Sequence, residues 1–246
     1  MQIIPAFVTQ NKCYQAGAPL TPRGIMLHSV GTPQPSARAL VRYMDQYQPG
    51  GQSVCVHAVA QADGTVYQPL PWEMRGWHCG GSANSTHIGV EMTEPSAGMT
   101  RSEAAEQIAG TYRTVVELFA ELCKQYELDP AQDGVIIGHA EGHRRGVASN
   151  HADPELLWRT YDMGYTMDGF RRDVAEAMKN GAREEALDMP RYDSVAEMPQ
   201  WARAGVQRLI DRGVLSGVGN GKLDLSLDMI RTMIVCQRML DEQKET

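Results

Sequence analysis

Short apolar runs alternate with polar turns over the first part of the chain. Ile25-Met26-Leu27 reads as a buried strand running into His28. Ser36 to Tyr47 has helical spacing, with Leu40, Val41 and Tyr43 near turn intervals, and Pro49-Gly50-Gly51 ends it. SVCVHAVAQ alternates as a strand does, Ala62-Asp63-Gly64 turns, and TVYQPL returns, which is a hairpin signature. Residues 72–87 are rich in Trp, Gly, His, Ser and Asn and read as a loop, the kind of segment that carries function on a rigid scaffold. HIGVEMTE then predicts another short buried strand.

Beyond it the period changes. Thr100 can cap a long helix from about Ser102 to Tyr126, whose apolar positions Ile108, Tyr112, Val115, Phe119 and Leu122 keep helical spacing. DGVIIGHAEG predicts a short buried strand ending in a polar loop. Residues 139–155 look irregular, and Met167 to Met178 looks like a closing helix. The polar segment NGAREEALDMPRYDSV, with its Gly and Pro, reads as a linker. The expected organisation is a main domain over 1–180, a linker over 181–195 and a small helical C-terminal domain over 196–246. The fold class is α/β, a central mixed β-sheet flanked by helices.

Composition narrows the function. The chain is 42% hydrophobic and 22% charged, ordinary for a globular protein. Its formal charge of −7 argues against nucleic acid as a partner and against a charge-driven grip on anionic surfaces. No run approaches the roughly 18 apolar residues of a membrane span, so membrane insertion is not expected. MQIIPAFVTQNKC lacks a basic start and an apolar core, and the expectation is cytoplasmic synthesis without a signal peptide. Five cysteines with no CxxC pair suggest neither a disulfide framework nor an all-cysteine zinc site.

The histidines carry the chemistry. There are seven. A single histidine is most often a hydrogen-bonded structural residue. His28 and His139, however, each follow an apolar run, so each emerges at the end of a buried strand. Neighbouring strands ending this way set two imidazoles side by side, which suits Zn²⁺, bound by neutral imidazole at about 2.0–2.1 Å. Asp153 is the best third ligand in the irregular stretch. His143 lies four residues after His139, but Gly142 and Gly146 argue against a helix that would align them. His57 can face a groove or the core, and Trp77 can stack on a ligand or anchor a loop. The residue pattern by itself stops at a metallohydrolase.

Four ordered segments take the reading further: GIMLHSVG, VCVHAVAQADGTVYQPLP, RGWHCGGSANSTHIGVEM and GHAEGHRRGVASNHADPELLW, with the tail TMDGFRRDV. Over roughly residues 20–178 the chain resembles the zinc-dependent N-acetylmuramoyl-L-alanine amidases, the family of phage lysozyme-type amidases and peptidoglycan recognition proteins. The resemblance implies His28, His139 and Asp153 as zinc ligands. It also implies Glu91 as general base, and His78 and Asn84 as residues of a substrate groove; His57 and Trp77 are added to the substrate-binding candidates from the residue pattern alone. The implied substrate is bacterial peptidoglycan, cut between N-acetylmuramic acid and L-alanine, as in endolysins acting at the cell wall after release. Two positions depart from the family pattern. Val56 stands where some members have Tyr, which shifts weight to Glu91. His151 stands where many have Lys, and is the expected oxyanion donor. The C-terminal segments GVQRLIDRG and LDLSLDMIR resemble short accessory regions of Gram-positive amidases, which implies wall anchoring, or a homodimer contact in its place. The alternative function is a recognition protein that binds peptidoglycan without cutting it. Asp153 argues for catalysis, since binding-only members tend to lack the third ligand. A weaker third reading is a zinc hydrolase of some other acylated amine.

Overall fold

Parallel strands covered on both faces need apolar residues without interruption, and the runs around residues 25 and 136 form an inner strand and a buried edge strand of one sheet. The computed structural model describes residues 1–46, 54–188 and 191–242. Two compact units divide the chain, Met1–Asn180 and Gly181–Thr246. In the first, β1 (Gln2–Pro5), β2 (Gly24–Ser29), β3 (Ala58–Ala60), β4 (Thr65–Gln68), β5 (His87–Met92) and β6 (Ile136–Gly138) form a sheet in the order β1-β4-β3-β5-β2-β6. β2 runs parallel to β5 and β6, while β3 and β4 make the antiparallel hairpin expected around Gly64, whose φ of 84° suits a glycine turn. The sheet is mixed, as expected.

The helices that begin in this unit are α1 (Lys12–Ala16), α2 (Ala37–Asp45), α3 (Arg101–Gln125), α4 (His139–Arg144), α5 (Glu155–Thr160) and α6 (Met167–Asp188), the last running past Asn180. Thr100 caps α3 as predicted and shares a capping box with Glu103. Strand alternation sorts the two faces of the sheet. Ile25 and Leu27 of β2, with Ile88, Val90 and Met92 of β5, join Phe119 of α3, Trp158 of α5 and Phe170 of α6 in the main core. Met26, His28, Gly89 and Glu91 therefore belong to the other face. There α1 and α2 supply Cys13, Val41 and Met44 to a second cluster with Val56 and Val59.

The structure departs from expectation in two segments. Residues 139–144 are helical, because α4 starts at His139, and the irregular stretch is confined to 145–154. A Cβ on Gly142 would lie 2.8 Å from Met26 Cε and 3.0 Å from Ala148 Cβ, so glycine is what lets the helix lie this close to the sheet. Packing there outweighs glycine's cost in a helix, about 1 kcal/mol. The segment expected as a linker is helical to Asp188, consistent with its Ala, Glu and Arg content. The Pro49-Gly50-Gly51 break lies outside the described residues.

In the second unit β7 (Arg191–Tyr192) pairs antiparallel with β8 (Leu225–Ser226), and α7 (Gln200–Asp211) packs on α8 (Leu227–Glu242). Its core is Met198, Ala202, Val206, Leu225, Ile230 and Ile234. Trp201 is exposed and takes no part in that core. Among the described residues no helix is long and apolar enough to cross a membrane.

Candidate metal centre and active site

Register brings the site together. His28 of β2 pairs with Glu91 of β5, and Leu27 pairs with Gly138 of β6, so His139 leaves its strand beside His28. The chain returns at Asp153, whose carbonyl accepts from the Ala140 N–H at 3.2 Å and whose Oδ2 accepts from the Ser29 N–H at 3.3 Å. Three ligand-type atoms converge. His28 Nδ1 lies 3.0 Å from His139 Nδ1 and 3.2 Å from Asp153 Oδ2, and His139 Nδ1 lies 3.4 Å from Asp153 Oδ1. Donor atoms about 2.0–2.2 Å from one ion in a tetrahedral arrangement stand roughly 3.3–3.5 Å apart. The observed spacings of 3.0–3.4 Å lie at or slightly inside that range, about the size of a small divalent cation's shell, and the donor set of two imidazoles and one carboxylate fits zinc.

Electrostatics at the centre follow from burial. Burial pulls the His28 pKa down, although Asp153 opposes it. For Asp153 burial disfavours the charge, but hydrogen bonds and charge from His139 and His28 outweigh it and hold the carboxyl far below its usual range. Glu91 behaves in the opposite way. Its Oε2 is shut off from solvent with no hydrogen-bond partner, and burial, with the Asp153 charge adding to it, pushes its pKa well above the usual value.

Each ligand ring is held from behind. His28 Nε2 lies 2.9 Å from His78 Nδ1. His139 Nε2 lies 3.2 Å from Ser149 Oγ, which is also 3.1 Å from His151 Nδ1 and 3.0 Å from the Cys79 carbonyl. A cavity of about 570 Å³ opens on this cluster, lined by His28, Glu91, His139, Ser149, His151 and Asp153. Trp77, His78 and Asn84 border the same cavity. Asn84 organises that wall, because its Oδ1 accepts from the N–H groups of His78 and Cys79 at 2.9 and 3.0 Å.

His57 is a correction to the groove expectation. It is fully buried and does not line the cavity. Its Nε2 donates to the Met74 carbonyl at 2.7 Å, and its Nδ1 accepts from the Gly89 N–H at 2.9 Å. Burial lowers its pKa to about 4, so the ring is neutral and serves the fold. His143 is exposed and stands outside the metal-type cluster. Ser149 is the functional candidate that sequence reasoning missed. Its only signal is its place two residues before His151 in a polar stretch.

The sequence model of the N-acetylmuramoyl-L-alanine amidases matches residues 18–156, more than half of the chain, and takes in His28, Glu91, His139 and Asp153. The chain belongs to this family. It is accordingly an amidase of peptidoglycan, acting on the bond between N-acetylmuramic acid and L-alanine. Three solved structures are similar. The hydrolase AmiA from Staphylococcus aureus, in complex with its ligand, superposes with a TM-score of 0.58 at 20% identity, over 72% of this chain and 83% of that one. The catalytic domain of XlyA gives 0.52 at 22% identity, over 71% and 99%. A mutant endolysin from Bacillus subtilis gives 0.51 at 20% identity, over 71% and 99%. At these identities the likeness is one of fold. Among curated proteins no sequence matches significantly.

Proposed function

We propose that this amidase is zinc-dependent and works as an endolysin, with His28, His139 and Asp153 as its metal ligands. The observation that carries the reading is the convergence of those three ligand atoms within 4.8 Å of one another on the face of the sheet that also bears Glu91. All of the residues concerned lie in the first unit. Gly181–Thr246 is then an accessory unit, with wall anchoring as its first assignment and self-association as the alternative. The endolysin reading agrees with the fold shared with an endolysin from Bacillus subtilis.

Zinc bound at this site supplies Lewis acidity, which makes water nucleophilic near neutral pH and polarises an amide carbonyl. The protein's own groups do the rest. Glu91 takes a proton from the attacking water and delivers it to the leaving amine of L-alanine, a role that suits a carboxyl whose proton affinity is raised by burial. His151 donates its Nδ1–H to Ser149 Oγ, whose own hydrogen goes to the Cys79 carbonyl, and this sets the direction of the ring; as imidazolium it also donates a hydrogen bond from Nε2 to the oxygen that gains negative charge. Trp77 offers an aromatic face to the sugar or stem peptide. The binding-only alternative is disfavoured by Asp153, an acidic third ligand held in place by the Ser29 N–H.

Digestion of purified cell walls, with the products resolved by mass spectrometry, tests the bond assignment. The expected products are glycan strands with free lactyl carboxylates and stem peptides with new L-alanine amino termini. Cleavage inside the stem peptide or between sugars would exclude the reading.

A further inference from the structure

His78 borders the cavity, yet both of its ring nitrogens are engaged inside the protein. We propose that His78 is a positioning residue that fixes the tautomer and tilt of His28 so that His28 Nδ1 presents its lone pair to the metal. This rests on the metal reading above.

The assignment proceeds one hydrogen at a time. His78 Nε2 lies 3.2 Å from the His87 carbonyl oxygen, which can only accept, so Nε2 carries the hydrogen. His78 is buried between His28 and His57, and with its hydrogen on Nε2 its Nδ1 is left as the acceptor. That acceptor is 2.9 Å from His28 Nε2, which must therefore donate. A neutral His28 with its hydrogen on Nε2 has a bare Nδ1, the atom that faces His139 and Asp153. The relay thus runs from the backbone of β5 through one imidazole into the next. Metal-bound histidines are ordinarily oriented by a carboxylate, a carbonyl or water through the far ring nitrogen. Here a second imidazole stands between the ligand and that carbonyl.

The surroundings show that this ring has a built slot. A Cβ on Gly89 would lie 2.4 Å from His78 Cγ, and one on Gly76 would lie 3.0 Å from His78 Cδ2. Any side chain at 89 would push the ring out of line. His28 and His78 meet edge to face, with ring planes at 76° and centroids 5.1 Å apart, so the N–H of one points at the other's edge without stacking. His139 is held differently, by the Ser149 hydroxyl. The two ligand histidines are therefore held by different side chains, and the direct contact of His78 is with His28.

Two measurements test the proposal. Proton–nitrogen correlation spectra of the histidine side chains, taken on the full chain in chelator, report tautomers without metal. The expected result is hydrogen on Nε2 of both His28 and His78, with scalar coupling across the His28 Nε2–His78 Nδ1 bond. Hydrogen on His28 Nδ1 would overturn the relay. The second measurement is zinc affinity by competition with a chromophoric chelator. His78→Asn keeps an acceptor at the Nδ1 position and should bind zinc within about threefold of the parent. His78→Gln reaches only the Nε2 position, and His78→Phe has neither atom. Both should lose about 10–100-fold, the usual effect of removing such a partner. Equal affinities for Asn and Gln variants would refute the assignment. If His78→Phe does not fold by circular dichroism, the Asn–Gln contrast carries the test. A parent that binds no zinc at all defeats the metal reading, while the tautomer spectra still decide the relay.

Discussion

Glu91→Gln should make the protein inactive and, at the same time, more stable. Glu91 sits across from His28 with Oε2 buried and unpartnered, and the Asp153 charge works against its ionisation. A buried polar atom without a partner costs about 1–3 kcal/mol, and more when it is charged. Gln keeps the shape and removes the charge, although its own amide recovers only part of that cost. The sign follows from linkage. The folded-state pKa lies above the unfolded value of about 4.3, so between the two the folded parent holds more protons than the unfolded chain. The parent's stability falls as pH rises through that window, and the Gln variant is free of the effect. The two should therefore melt alike near about pH 4 and separate above it, the variant leading by about 1–3 kcal/mol at about pH 8. For a chain of this size that is roughly 2–4 °C per kcal/mol. The melts belong in chelator, because a bound cation would hold the carboxylate charged. A stability difference that does not change with pH, or a parent that is the more stable protein at high pH, would refute the reasoning. In the zinc-loaded enzyme the same substitution should lower kcat by at least about 10², the low end for a lost general base.

Two further substitutions separate orientation from chemistry. Ser149→Ala removes the partner of His139 Nε2 and should weaken zinc binding about 10-fold, with unchanged affinity in a chelator competition as the contrary result. His151→Ala should lower kcat about 10²–10³ while zinc content by elemental analysis stays at the parent level. A rate within a few-fold of the parent would remove His151 from the oxyanion role.

What the sequence made legible, and what it hid, has physical reasons. Ile25-Met26-Leu27 and Val135-Ile136-Ile137 stand out because parallel strands buried on both faces carry unbroken apolar runs. The capping box at Thr100 announces α3 through local hydrogen bonds alone. The pair of metal-type histidines was readable because each follows such a run directly. β1 escaped notice because it is an edge strand, only half-buried at Ile3 and Ile4 and exposed at both ends. α4 was hidden by Gly142, whose unfavourable propensity is outweighed by its contact with Met26, a residue more than a hundred positions away in the chain. For His57 an alternating pattern names two faces but not which of them is open, and the packing of Met74 and Gly89 decided that it serves the core. Ser149 gave no signal, since one serine in a polar loop acquires its role only when Cys79, His139 and His151 close around it.

The account stands or falls on the three converging ligand atoms of His28, His139 and Asp153. Metal analysis of the purified protein, paired with dye release from labelled bacterial cell walls, for the parent and for Asp153→Ala, examines site and substrate together. The account predicts about one zinc per chain and steady wall lysis for the parent. It predicts loss of both for the variant, with the fold preserved. A parent that carries no metal and releases no dye would contradict it, and so would an Asp153→Ala protein that keeps full zinc and full lysis.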